Sequence, residues 1–159
     1  MIFIKALLIA TLIAIAYQDI KERLVYWFLF PLLGLTVGIL FYTQTLPELF
    51  LVSTLINLII VCLFYLVIVI HSFFILKKSF REVIGMGDIL MFFFLIFTFS
   101  SVSFIVTFIS AIVFSFIAHI LLKKNIKKET VPLAGYMSVF YVFTYLAFWF
   151  GTIDSLYSV

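Results

Sequence analysis

With 159 residues, 67% of them hydrophobic and only 11% charged, the chain has too few polar side chains to cover a soluble domain of its size. The net charge of +3 gathers into no basic stripe, so nucleic acid is not an expected partner. The single cysteine, Cys62, excludes an intrachain disulfide and a zinc-type cysteine spacing. The expected class is therefore all-α, a polytopic integral membrane protein of one domain.

A helix needs about 20 apolar residues to cross a bilayer. In chain order, residues 1–18, 24–42 and 49–70 meet that need. The stretch from Ile89 to Leu122 is apolar for 34 residues. As one helix it would reach about 51 Å, well beyond a hydrocarbon core of ~30 Å. It divides better into spans at 88–102 and 104–122, hinged near "SSVS" (Ser100–Ser103). The last span is 131–150, which makes six transmembrane helices. Pro31 reads as a kink in the second span and Pro47 as a stop in the loop after it.

Charge placement supports that count. Lys21 and Arg23 follow the first span, Lys77, Lys78 and Arg81 the third, and Lys123, Lys124, Lys127 and Lys128 the fifth. With six crossings, nine of the ten basic residues share one side and only Lys5 lies opposite. The positive-inside rule makes that side cytoplasmic, with both termini extracytoplasmic, in the inner (cytoplasmic) cell membrane. "AIAYQ" contains Ala14-Ile15-Ala16, which looks like a signal-peptidase site. Cleavage there would leave Lys21 and Arg23 outside, against the charge bias, so the first helix is read as retained.

Three aspartates are present. Asp154 falls in the tail after the last span and reads as a solvated terminal residue. Asp19 closes the first span and Asp88 opens the fourth. Those two spans run in opposite directions, so both acids come to the same cytoplasmic depth. Singly, each has an ordinary explanation. Asp19 can pair with Arg23 four residues on, and Asp88 suits the first turn of a helix. Together they form a functional hypothesis, as intramembrane acids do by default. Two carboxylates at hydrogen-bonding distance share one proton. The ionised one can deprotonate a water that attacks an amide carbonyl, while the other assists the carbonyl oxygen and the leaving amine. Such chemistry needs no metal and no cofactor. Gly85 and Gly87, flanking Met86 just before Asp88, have no side chains to obstruct an approaching peptide and allow positive φ.

These residues resemble the GxGD-type membrane aspartyl proteases, most closely the type IV prepilin and preflagellin peptidases. "GMGD" (Gly85–Asp88) stands where that family has its GxGD motif. "YQDIKERLVYW" (Tyr17–Trp27) stands where its first catalytic aspartate ends a helix and enters a basic cytoplasmic loop. "VPLAGYMS" (Val131–Ser138) resembles the proline-glycine segment that opens its final helix. The resemblance implies Asp19 and Asp88 as a catalytic pair that cleaves leaders of pilin-like precursors at the cytoplasmic face. It also implies Gly85, Gly87, Pro132 and Gly135 as substrate-side neighbours. Two departures bear on substrate preference: Val25-Tyr26-Trp27 stands where the family often has Ile-Pro-Asn, and Leu90 where a lysine is common. The chain has no room for the N-terminal region that long forms use in methyl transfer, so a short, peptidase-only form is expected. The expected partners are a pilin-like precursor and the lipid bilayer.

Two other classes compete. A presenilin- or signal-peptide-peptidase-like intramembrane protease also uses GxGD, but with its two motifs on adjacent helices; here 68 residues separate the acids. A non-enzymatic carboxylate-relay transporter or assembly factor would use the same acids without cutting a precursor. No inverted repeat or discontinuous-helix pair favours transport. His71 and His119 read as interfacial residues, Glu82 as a loop acid, and Ser53 and Asn57 as hydrogen-bonding residues between helices.

Overall fold

Six α-helices make up the regular structure in a computed structural model that describes residues 1–76, 85–122, 131–152 and 156–157. Expectations resting on Lys77, Lys78, Arg81, Glu82, Lys123, Lys124, Lys127, Lys128 and Asp154 lie outside these residues. The helices are α1 (Ile2–Glu22), α2 (Leu29–Gln44), α3 (Pro47–His71), α4 (Met86–Leu95), α5 (Ser101–Leu122) and α6 (Leu133–Trp149). A π-helical turn, Ser72–Leu76, extends α3. There is no strand among the described residues. By length and composition α1, α3 (carried on to Phe74) and α5 can cross a membrane. The other three are shorter apolar helices, of 16, 10 and 17 residues.

The packing centres on α1 and α6, the most extensive helix pair, with α2 against α1 and α4, and α5 against α6 and α3. Apolar residues at helical spacing build this centre: Leu8, Leu12 and Ile15 from α1, Leu33, Val37 and Phe41 from α2, and Met137, Tyr141 and Tyr145 from α6. The remaining faces are also apolar, which is why no amphipathic stripe stands out in the sequence. On α3 the buried residues are only Ser53, Asn57 and Val61, one narrow line at four-residue spacing. Its other apolar side chains, Leu55, Ile59 and Leu66 among them, are exposed.

Asn57 explains where α4 stops. Its side-chain amide donates to the carbonyls of Ile96 (2.9 Å) and Phe99 (3.0 Å), both just past the end of α4. The final carbonyls of a helix have no partners within it, and this end is buried, with Ile96, Thr98, Phe99 and Ser100 all shielded. Thr98 Oγ1 satisfies a further carbonyl, that of Leu95, at 2.7 Å. Asn57→Ala is expected to lower stability by about 1–3 kcal/mol, because buried carbonyls lose their donor. Thermal unfolding in detergent measures it, and an unchanged midpoint would contradict this role for Asn57.

α2 and α4 approach closely at Gly34, where an added Cβ would run into the Phe94 ring. Gly34→Ala should therefore force Phe94 aside and cost about 1–3 kcal/mol. At Gly38 an added Cβ would only touch Phe97 at 3.6 Å, an ordinary contact. The same unfolding assay separates the two, with Gly38→Ala expected near wild type. Beside this contact the two helices border an apolar cleft of about 580 Å³ that Pro31, Leu35, Phe50 and Phe97 help to line.

Several local expectations need correction. α2 begins at Leu29, not at residue 24, because the chain turns through Arg23 and a short loop. Pro31 consequently sits in the first turn, where its missing N–H removes no internal bond, and it is no mid-span kink. Pro47 does not end an element; it opens α3 as the first helical residue. The break in the long apolar stretch falls at residues 96–100, just ahead of the expected Ser100–Ser103 hinge.

The two ends of the bundle differ in character. At one end Phe41, Phe50, Phe99 and Tyr157 pack together, and the Ser100 N–H meets the Leu156 carbonyl at 3.4 Å. That end joins the C-terminal end of α2, the α4–α5 turn and the tail of the chain. The end of α1 and the starts of α4 and α6 meet at the opposite end, where the acids are.

Candidate active site

Asp19 lies in the last turn of α1. The helix is closed by Arg23, in left-handed conformation at φ 63°, whose N–H returns to the Asp19 carbonyl at 3.1 Å. Arg23 is the one non-glycine residue with positive φ among the described residues. A non-glycine residue there costs roughly 1–2 kcal/mol. The side chain of Gln18 then accepts the Tyr26 N–H at 3.0 Å, which fixes the loop leaving the helix. These bonds hold the backbone that carries Asp19.

Asp88 lies in the first turn of α4, capped by Gly85 in extended conformation (φ −67°, ψ 146°). The Gly85 carbonyl accepts from the N–H of Asp88 (3.1 Å) and of Ile89 (3.2 Å). Asp88 Oδ2 turns back toward Gly85 and stands 3.3 Å from where a glycine-replacing Cβ would be. From α3, the Tyr65 hydroxyl donates to the Ile89 carbonyl at 2.7 Å and ties the start of α4 to its neighbour.

The two acids meet at the N-terminus of α6. The Ala134 N–H donates to Asp88 Oδ1 at 2.9 Å, and the next N–H, of Gly135, donates to Asp19 Oδ2 at 2.6 Å. A helix start leaves four N–H groups without internal partners. Here Pro132, at the cap, has none to satisfy; Leu133 bonds the Val131 carbonyl at 3.0 Å; and the two acids take the remaining two. No local side chain caps α6. Its capping groups arrive instead from residues 116 and 46 positions earlier in the chain. The positive end of the helix dipole favours carboxylates at this place. Both acids are only partly buried.

The chain matches no family model, and no curated protein or solved structure is significantly similar to it.

The residues singled out in the sequence occupy distinct positions around this junction. Asp19, Asp88 and Gly135 come together. At Gly135 a Cβ would stand 3.0 Å from Ile20 Cγ1 and 3.1 Å from both Cβ and Oδ2 of Asp19, so α6 and α1 pack tightly here and any side chain would push these neighbours back by a few tenths of an ångström. Pro132 is buried at the helix cap. Gly85 is exposed and Gly87 half-buried, its missing Cβ facing Phe30 at 3.6 Å. Neither uses the positive φ that glycine allows; among the described glycines only Gly151 does. Ala134 was not foreseen, since its contribution is a backbone N–H that any residue but proline supplies. A proline cap followed by small residues at the second and third helical positions is the available sequence signal. Among the described residues no three His, Cys, Asp or Glu side chains gather as a metal site.

Proposed function

We propose that this chain is a membrane aspartic endopeptidase with Asp19 and Asp88 as its catalytic dyad. It removes the short basic leader from pilin-like precursors at the cytoplasmic membrane face. The observation that carries the reading is the delivery of two carboxylates, with 68 residues between them in sequence, to consecutive N–H groups of one helix start. Separate structural roles for the acids would not require that convergence. Amide hydrolysis does, because a water and a carbonyl must meet both groups at once.

In this reading all six helices cross the bilayer, and the end that holds the acids is cytoplasmic. α4, with 10 residues, covers only about 15 Å. Its span is completed by residues 96–100, whose irregular backbone is tolerated at depth because protein groups shield and satisfy it. The basic positions following α1, α3 and α5 then share the cytoplasmic side, as the positive-inside rule requires.

The chemistry uses one protonated and one ionised carboxyl. The ionised one takes a proton from water as the water oxygen attacks the scissile carbonyl carbon. A proton from the dyad then goes to the amine nitrogen as the C–N bond breaks. The N–H groups of Ala134 and Gly135 hold the acids in place through the cycle, which keeps their geometry fixed on a rigid element. A leader–helix junction suits this position, since the leader is polar and the following segment apolar.

Co-expression with a pilin-like precursor from the same genome tests the proposal. The expected result is a shortened precursor whose mass locates the cut between the basic leader and the apolar helix. A precursor that stays full length with every candidate tried would overturn the reading.

A further inference from the structure

Two buried polar groups beside the acids have no hydrogen-bond partner. One is Nη1 of Arg23 and the other the hydroxyl of Tyr136. Tyr136 is 3% exposed, so its orphan hydroxyl lies inside the protein rather than in water. Buried polar groups are almost always satisfied, and each exception calls for an explanation. They are two of eight such atoms among the described residues, and these two neighbour the acids in the chain. Arg23 follows Asp19 by one helical turn, and Tyr136 follows Gly135, the residue that holds Asp19. The Arg23 guanidinium acts electrostatically on Asp19, Asp88 and Tyr136, and the Asp19 carboxylate on Tyr136.

The backbone at Arg23 adds an independent sign. Left-handed φ at the end of a helix is ordinarily glycine's position, and here an arginine is held in it at φ 63°. Strain of this kind persists only where the surrounding structure holds it, and such positions cluster at active sites. A glycine would close α1 with less strain but would supply no donor.

We propose that Arg23 and Tyr136 form a donor pair that binds the scissile carbonyl oxygen of the peptide and the oxyanion it becomes. This rests on the peptidase reading above. The pair complements the dyad. When the water oxygen bonds to the carbonyl carbon, its proton passes to the ionised carboxyl and the carbonyl π electrons move onto oxygen. That oxygen takes hydrogen bonds from Nη1 of Arg23 and the Tyr136 hydroxyl. The C–N bond then breaks, the carbonyl re-forms, and the amine nitrogen receives a proton from the dyad. The dyad ends with the single proton it began with. Donors that strengthen as charge develops on oxygen act on the chemical step more than on binding.

The test is steady-state cleavage of a synthetic precursor, a short basic leader joined to an apolar helix, by the purified full-length chain in detergent. Arg23→Gln and Tyr136→Phe are each expected to lower kcat by about 10²–10³-fold, with KM close to wild type. Arg23→Gly should lower kcat as much while its unfolding temperature stays at or above that of wild type, because the backbone strain is removed. That combination cannot come from a merely structural arginine. Unchanged kcat in Arg23→Gln and Tyr136→Phe, with Asp19→Asn and Asp88→Asn inactive, would overturn the donor pair and leave the dyad standing. A rise in KM at constant kcat would also overturn it. Cleavage that survives in Asp19→Asn and Asp88→Asn would overturn the peptidase reading itself.

Discussion

Asp19→Asn and Asp88→Asn are each expected to slow precursor cleavage by about 10²–10⁴-fold while the helices stay assembled. The reasoning follows from what each oxygen does. Oδ2 of Asp19 and Oδ1 of Asp88 accept N–H bonds from Gly135 and Ala134. An asparagine side-chain oxygen can accept the same bonds, so the start of α6 stays capped and the α1–α6 contact survives. What asparagine lacks is the ability to take a proton from water or to return one to the amine. Precursor size on a gel reads the first effect, and thermal unfolding of the detergent-solubilised variants reads the second. A variant that loses cleavage only because it fails to insert would show a collapsed unfolding transition.

Gly135→Ala should also slow cleavage, by less than the aspartate substitutions, without touching a titratable group. Its Cβ would stand 3.0 Å from Ile20 Cγ1 and 3.1 Å from Asp19 Cβ and Oδ2. Relief requires Asp19 to swing off the Gly135 N–H or α6 to draw back from α1. Either motion moves Asp19 by a few tenths of an ångström relative to the α6 start, a part of the roughly 1 Å misplacement that costs about 10²-fold in rate. Gly38→Ala is the matching control, since its Cβ would make an ordinary 3.6 Å contact in the α2–α4 interface. The kinetic assay should therefore show a clear loss for Gly135→Ala and little change for Gly38→Ala. Equal activity in both would mean that close packing at Gly135 does not set the position of Asp19.

That Asp19 and Asp88 share one end of the bundle was legible in the sequence; the backbone groups that meet them, and the neighbouring Arg23 and Tyr136 side chains, were not. Asp19 and Asp88 stand out because carboxylates are rare and costly among apolar segments, and opposite helix directions brought them to one end. Ala134 and Gly135 act through N–H groups, which leave little mark on residue type. Helix existence followed from long apolar runs, yet α2 began later than residue 24 because Arg23 and the Gln18–Tyr26 bond turn the chain first. α4 ended at Leu95 because Asn57, 39 and 42 residues away from its two acceptors, takes up the carbonyls beyond the helix. A local pattern cannot report a partner that distant. The two prolines were misread for the same reason: Pro31 and Pro47 gain their meaning from where the helices start.

The most direct measurement compares residual cleavage rates of Asp19→Asn, Asp88→Asn and the double variant against one precursor, in one membrane preparation. Two acids acting as a unit give a double variant no slower than the worse single one, with both singles reduced by about 10²-fold or more. Processing that persists at wild-type rate in either single variant would remove that acid from catalysis and contradict the dyad.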